Sequence, residues 1–137
     1  MKLTSLLESV KTSERSAINE ARSNSFKFEG TINLQGSDIK ELPNNLNVYG
    51  DLILAGIKSL RKLPKNLNVS GDLDITDTNV DEIPEGLTLT GTFSFAHTPL
   101  SEYYNAKEEK SGEIKKMIQK DIVSKGGDIS FGIGVNF

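Results

Sequence analysis

One short phrase of alternating apolar and polar residues occurs four times along the chain. Its second copy begins at Leu46, and a glycine stands at the same place in every copy. These glycines are Gly30, Gly50, Gly71 and Gly91, so consecutive copies are 20 or 21 residues apart. A fixed period of this length is typical of repeat architectures, in which each repeat forms one coil of a stack. The pattern therefore predicts a solenoid.

Within each copy, the apolar residues fall on one parity and most polar residues on the other. In the second copy Leu46, Val48, Leu52 and Leu54 share the apolar parity. Successive side chains of a strand point to opposite faces, so this parity predicts the core and the other predicts the solvent face. The glycine lies on the core parity, where we predict a bend between two short strands or a close approach of two backbones.

A second phrase separates the copies and consists of two apolar residues three positions apart followed by proline. Its occurrences end at Pro43, Pro64 and Pro84. Proline lacks an N–H and has a fixed φ, so it fits a corner better than a strand ladder. We predict that this phrase forms the third side of each coil.

Helical spacing of apolar residues flanks the repeats on both sides. Residues 3–22 have such a stripe, and we predict a helix that caps the first coil, with a partner-binding helix as the alternative. Residues 111–122 have a second stripe, for which Ser111 is the predicted N-cap and Gly126 the residue after the C-cap. Both helices are expected to lie against the ends of the stack.

Residues 127–137 return to the alternation that is typical of strands. The phrase that begins at Gly127 matches the phrase that begins at Gly71, which predicts that Ile129 occupies the position of Leu73. We expect the chain to add a last strand to the sheet, with a local hairpin as the alternative.

These patterns predict a mainly β fold with α-helical caps. The expected architecture is a short right-handed β-solenoid of about four coils, because crossovers between parallel strands are right-handed. The 137 residues fit a single domain. Its predicted parts are a helical N-terminal cap (1–24), the repeats (25–100), a second helical cap (101–126) and a terminal strand (127–137).

Composition removes several kinds of chemistry. The chain has no cysteine and one histidine, which excludes disulfides, thiolate sites and a multi-histidine metal site. The net charge of −3, with both signs interspersed, argues against nucleic-acid binding. No apolar run approaches the 18 residues of a membrane span, and the first residues lack the apolar region of a signal peptide. We expect no membrane association, a cytoplasmic location and no cofactor.

The repeat Leu-Pro-x-x-Leu-x-Val-x-Gly-x-Leu-x-Leu resembles that of leucine-rich-repeat-like proteins found in bacteriophage genomes. The matching stretches run from Leu42 to Ile57, Leu63 to Val80 and Ile83 to Leu100, with Gly126 to Ile129 at the end. The chain lacks the asparagine ladder and the Leu-x-x-Leu-x-Leu phrase of ordinary leucine-rich repeats, so their horseshoe geometry is not carried over. The resemblance implies a phage origin and a small accessory protein that acts on host machinery, including defence systems.

Carboxylates recur along one edge of the predicted strands. Such a row offers ligands for a hard cation, or the two carboxylates of a glycoside hydrolase. No calcium-loop spacing occurs and nothing selects one pair, so we favour a solvated face without a metal. The residues are Asp51, Asp72, Asp74, Asp77 and Asp81.

His97 stands beside Thr98 and Ser101, an arrangement that resembles a base with its nucleophile. The sequence offers no evident carboxylate to orient the imidazole. We therefore favour a structural role at a corner and predict no catalytic residue.

The outward residues of the strands form the predicted binding surface, which we call the recognition face. Tyr49 and Ile53 are large apolar residues on the solvent parity, which is unfavourable unless something covers them. Flat repeat surfaces commonly bind proteins, although an ordinary sheet face or contact with a flanking helix would also explain the pattern. The face comprises Asn47, Tyr49, Asp51, Ile53, Asn68, Ser70, Asp72, Asp74, Thr90 and Thr92.

The expected function is that of a non-enzymatic protein-binding module, encoded by a phage, that inhibits or modulates a host defence protein by occlusion. One alternative is a sponge for a small nucleotide signal bound at a subunit contact. Another is a structural component of the virion. Homo-oligomerisation is left open by the sequence.

Overall fold

The fold is a stack of parallel strands with two helices packed beside its last coils. The computed structural model describes residues 26–129 and 134–137. The predicted N-terminal helix, residues 3–22 of the cap 1–24, lies outside the described residues. The elements are β1 (Phe26–Glu29), β2 (Ile32–Asn33), β3 (Leu46–Tyr49), β4 (Leu52–Ile53), β5 (Asn68–Val69), β6 (Leu73–Asp74), β7 (Thr88–Leu89), β8 (Phe93–Ser94), α1 (Pro99–Asn105), α2 (Ser111–Ser124) and β9 (Val135–Asn136).

Each coil contributes one strand to each of two parallel sheets. The first sheet has the order β1-β3-β5-β7 and the second the order β2-β4-β6-β8-β9. A single parallel bridge between Thr88 and Asp128 extends the first sheet by one more step. The predicted mainly β solenoid is confirmed, with about three full turns and a further partial coil after the helices.

The core consists of apolar columns that run through the coils, as the alternation predicts. Residues in one column are in register, such as Leu52 with Leu73 and Leu73 with Phe93. Every member is at most 1% exposed. The two central columns are Phe28, Val48, Val69 and Leu89, and Ile32, Leu52, Leu73 and Phe93.

The recurring glycine separates the two strands of a coil and brings neighbouring backbones into contact. The Gly71 N–H donates to the carbonyl oxygen of Gly50 at 2.9 Å. A Cβ on Gly91 would lie 2.5 Å from the carbonyl oxygen of Gly71, and a Cβ on Gly50 would overlap the carbonyl of Gly30. Both predicted roles, the bend and the close approach, are confirmed.

The third side of each coil has no strand and turns at the predicted proline corners. Pro64 and Pro84 are buried there. The chain lacks the asparagine ladder of ordinary leucine-rich repeats. It does have one hydrogen bond between side-chain amides of adjacent coils, in which Asn66 Nδ2 donates to Asn45 Oδ1 at 2.8 Å. Both asparagines have a left-handed backbone, with φ of 57° and 63°.

The two helices follow the last regular coil. Helix α1 is capped by Thr98, whose hydroxyl accepts the N–H of Ser101 at 3.0 Å. Helix α2 packs on the core through its buried isoleucines, but the predicted N-cap is wrong. Ser111 is the first helical residue, and Lys110 occupies the N-cap position without a side-chain hydrogen bond.

The C-terminus of α2 fits the prediction for Gly126, which has φ +84°. The Gly126 N–H donates to Val123 O and the Gly127 N–H to Ile122 O, both at 3.0 Å. These two bonds define a Schellman motif, which glycine favours because it adopts positive φ without strain.

The terminal strand joins the second sheet, but its predicted register is wrong. Val135 pairs with Phe93 in the column of Leu73, where Ile129 was expected. Asp128 pairs with Thr88 in the other sheet, which places Ile129 level with Leu89. Seven positions separate Asp128 from Val135, against five between Thr88 and Phe93. The repeat period therefore breaks by two residues within the final coil.

Candidate recognition face and the clefts beside the helices

The predicted recognition residues lie on adjacent positions of the two sheets. Asn47 is in register with Asn68, and Ile53 with Asp74. Tyr49 pairs with Glu29 of the first coil. The coils therefore align the polar parity into columns across the stack, as the repeat predicts.

Tyr49 is the dominant apolar group of the recognition face. It is 49% exposed, and among the described residues the other large exposed hydrophobic side chains are Tyr103 and Val123, which lie on the helices. The Lys27 ammonium lies 5.0 Å from the centre of the Tyr49 ring, within the range of a cation–π contact. Ile53 is only partly exposed. The face thus presents one aromatic ring that is exposed and already held beside a cation.

Asp51 and Asp72 bind the neighbouring coil instead of pointing free into solvent. Asp51 Oδ1 accepts the N–H of Asp72 at 2.8 Å, and Asp72 Oδ1 accepts the N–H of Thr92 at 2.8 Å. Each carboxylate therefore satisfies a backbone donor just beyond the stacked glycines, where the strands bend. We call this pair of contacts the aspartate ladder. The recurring Gly-Asp dipeptide is the only sequence signal for it.

The remaining aspartates of the predicted edge have separate partners. Asp74 accepts the N–H of Thr76 at 2.9 Å within its own turn. Asp77 is hydrogen-bonded to Lys58, and this bond and the lysine charge lower the pKa of its carboxyl. Asp81 lies apart, in a cleft beside the helices. In residues 26–129 and 134–137, no group of three or more histidine, cysteine or acidic residues is arranged to hold a metal ion.

His97 and its neighbours are used by the corner that begins α1. His97 is exposed and has φ +58°. Thr98 donates its hydroxyl to Phe95 O at 2.6 Å and accepts the Ser101 N–H, so its oxygen serves the helix cap. The Thr98 and Ser101 side chains are buried in this cap. This arrangement favours the structural interpretation of His97.

Two clefts that the sequence did not reveal lie where α2 meets the third side of the coils. The larger has a volume of about 540 Å³ and the smaller about 280 Å³. Both are lined by Glu82, Ile83, Ser124 and Lys125. The Lys125 ammonium donates to Ile83 O at 2.7 Å and thereby ties the helix to the coils. Only the packing of α2 creates these clefts, so no local motif predicts them.

The smaller cleft contains the one strongly perturbed phenol of the described residues. Tyr104 is 2% exposed and donates its hydroxyl to Asp121 Oδ2 at 2.5 Å. Burial first, and then the bond to the Asp121 carboxylate, raise the pKa of Tyr104 far above its usual value of 10.0. The exposed Tyr103 ring meets Tyr104 edge to face, with 5.1 Å between the ring centres.

The arrangement defines a short β-solenoid whose outward strand residues are mostly polar, with Tyr49 and the partly exposed Ile53 as the large apolar exceptions. No family model, curated protein or solved structure matches the chain. Neither helix of the described part is both long and apolar enough to cross a membrane.

Proposed function

We propose that the chain is a non-enzymatic protein-binding module that contacts its partner through the recognition face around Tyr49. The observation that carries the proposal is the half-exposed Tyr49 ring, with the partly exposed Ile53 nearby, on a regular and mostly polar sheet surface. Tyrosine is enriched among the residues that dominate binding energy at protein interfaces. A partner that covers this ring would remove the largest apolar group from the solvent face of the sheets.

The neighbours of Tyr49 suit a flat contact. In the next two coils Ser70 and Thr90 follow it on the outward parity, and both are short and exposed. Lys27 and Glu29 flank the ring on the first coil, and the distance from Lys27 Nζ to Glu29 Oε1 is 3.5 Å. An aromatic anchor beside charged and short polar groups resembles the anchor and rim of a protein interface. The aspartate ladder links neighbouring coils of this surface by hydrogen bonds, and a surface held in this way loses less conformational entropy on binding.

The size of the face limits the expected affinity. The five strands of the second sheet, spaced about 4.8 Å apart, span about 20 Å, and about eight residues of strand span about 26 Å. The resulting area of roughly 500 Å² is smaller than the roughly 800 Å² that each partner buries in a standard interface. The partner is therefore expected to bind weakly, or to reach beyond the face to the helices.

We also propose the biological setting that the phage resemblance suggests. In it, the chain is a phage accessory protein in the host cytoplasm, and its partner is a host protein, such as a defence protein, that it blocks by occlusion. A sponge for a nucleotide signal and a virion component are the competing functions. Purified virions that contain the protein would favour the virion role. A nucleotide-induced rise in melting temperature without any protein partner would favour the sponge.

The test is affinity capture from host lysate with matched variants. Tyr49→Ala combined with Ile53→Asp should abolish capture of a specific protein, because the change removes the anchor and adds a charge to its surroundings. Tyr103→Ala removes an equally exposed tyrosine from α1 and should leave capture intact. Equal capture by the wild type and a folded Tyr49→Ala/Ile53→Asp protein would refute the face. Circular dichroism and the melting temperature establish that each variant is folded.

A further inference from the structure

The final coil leaves a row of backbone donors directed away from the stack. In a parallel ladder, each residue directs its N–H and C=O to one side of its strand, and the next residue uses the other side. Phe93 donates its N–H forward to Gly134 O of the final coil at 2.8 Å. Val135 occupies the position of Phe93 one coil later. Its N–H therefore points forward too, to the side of β9 on which the second sheet has no further strand among the described residues.

The same geometry recurs at two more positions of the final coil. Phe95 donates its N–H forward into β9 at 2.8 Å, so Phe137, which follows it in register, also directs its N–H outward. In the first sheet Leu89 donates forward to Asp128 O at 2.9 Å, so Ile129 does likewise. Within residues 26–129 and 134–137, both sheets consequently end in a strand edge on the same side of the molecule.

Apolar side chains accompany these donors. Ile129, Val135 and Phe137 pack against the core but are only partly buried, whereas Phe93 and Phe95 of the preceding coil are fully buried. Phe137 stacks on Phe95 with 6.2 Å between ring centres. The apolar columns therefore continue into the last coil, where their side chains are partly exposed to solvent. An exposed strand edge with apolar residues is a site at which another strand adds.

We propose that this terminal edge is the interface with a second copy of the chain. A single extended peptide can pair with only one of the two edges. The final coil of a second copy offers both edges, separated by the same distance as the two edges of the first copy. A two-fold axis that bisects the two sheets places residues 128–129 of one copy antiparallel to β9 of the other, and the reverse contact follows by symmetry. Both segments are short, since β9 has two residues and the other edge consists of the bridge at Asp128 and the adjoining Ile129.

The paired edges close the assembly at two copies. Each copy uses its terminal edge on both sheets, so this edge is fully paired in the dimer. The interface is small, with a few peptide hydrogen bonds and three apolar side chains per copy. Because interfaces of this size fall at the weak end of the range, dimerisation is expected to depend visibly on protein concentration.

Sedimentation equilibrium over a concentration series tests the proposal. The wild-type protein should approach twice the monomer mass as its concentration rises. Val135→Pro removes a donor that the coil itself does not use, so this variant should remain monomeric with a melting temperature near that of dilute wild-type protein. Asn136→Pro is the matched control, because the N–H at that position faces β8 and its loss should lower the melting temperature.

Ile129→Lys provides a second variant, because a lysine on a strand edge opposes pairing without removing a donor. Its dimer should dissociate as that of Val135→Pro does. The recognition-face variant Tyr49→Ala/Ile53→Asp should still dimerise, which separates this interface from the proposed protein-binding face. A wild-type protein that remains monomeric at every concentration, or dimers that persist unchanged in both edge variants, would overturn the proposal.

Discussion

Replacing Gly71 by alanine tests whether the glycine column holds the coils at backbone contact. An alanine Cβ would lie 2.8 Å from the carbonyl carbon and oxygen of Gly50 and would overlap Asp51 Oδ1. Ordinary van der Waals contact begins near 3.4 Å. The two coils would thus have to separate by about 0.6 Å at this point, and the Asp51 carboxylate would have to turn away.

The cost of this change combines two effects. Overpacking a tight contact costs about 1–3 kcal/mol. Displacing Asp51 breaks its bond to the Asp72 N–H, and bonds to charged groups contribute about 1.5–3 kcal/mol, with the lower end applying to a partly exposed group. We expect Gly71→Ala to reduce the free energy of unfolding by about 2.5–4.5 kcal/mol, the sum of the two effects. At about 4 °C per kcal/mol, the melting temperature should fall by about 10–18 °C.

Chemical denaturation measured by circular dichroism gives this free energy directly. Gly112→Ala is the matched control, because its added Cβ meets nothing within 4 Å and the residue lies in α2. Alanine favours helix over glycine by up to about 1 kcal/mol, so this variant should be as stable as the wild type or more stable. If Gly71→Ala unfolds within about 0.5 kcal/mol of the wild type, as ordinary surface substitutions do, the coils are not held at backbone contact.

Three further predictions concern the ladder, the buried phenol and the final coil. Asp72→Ala should cost about 1 kcal/mol in urea unfolding and Asp72→Asn clearly less, because only asparagine keeps an oxygen for the Thr92 N–H; equal losses would contradict the ladder. The raised pKa of Tyr104 stabilises the fold fully below pH 10.0 and progressively less above it, because only the unfolded state then ionises this phenol. Tyr104→Phe should therefore flatten the alkaline loss of stability in melts recorded at increasing pH, and Tyr103→Phe should not; parallel profiles would refute this. Deleting residues 127–137 should lower the melting temperature, because the deletion removes β9 and the stacking of Phe137 on Phe95; an unchanged value would show that the final coil adds nothing.

The core was predictable from the sequence because stacking restricts every inward position to apolar residues. A residue such as Val48 or Leu73 that points inward meets the same position of two other coils, so it must be apolar in every copy. The glycine column follows from the same logic, since only glycine allows backbones to touch where Gly50 and Gly71 meet. Both features repeat with the period of the coil, and a periodic feature is what a sequence displays most clearly.

The register of the final coil was not predictable, because the sequence allows two alignments. The run that begins at Gly127 matches the run at Gly71 by residue type, yet it occupies the position of a strand in the other sheet. The deciding influence is the end of α2, where the Gly126 and Gly127 bonds fix the point at which the chain re-enters the stack. These bonds end the helix at a predictable place, but the strand that the chain then meets depends on how α2 packs on the coils, and no local pattern reveals that packing.

The recognition face was predictable in position but not in the roles of its members. Asp51 and Asp72 have the parity of solvent-facing residues, and nothing in their type distinguishes a free carboxylate from one that accepts a neighbouring N–H. The distance to the next coil makes that distinction, and it is set by the glycine column beside them. The Gly-Asp dipeptide is thus a structural pair, in which the glycine brings the coils together and the aspartate satisfies the donor exposed at the bend.

This division of roles decides where specificity can reside. Asp51 and Asp72 accept backbone donors across coils, so changing them alters the stack as well as the surface. Tyr49 and Thr90 have the same outward parity, but within the described residues their side chains do not accept a backbone N–H of the next coil, so they can vary with less effect on the stack. A partner that discriminates among similar solenoids must therefore detect the Tyr49 column, since the aspartate column is already engaged in holding the face together. The exposed tyrosine is a feature that the fold does not require, and for that reason we propose it as the centre of the binding face.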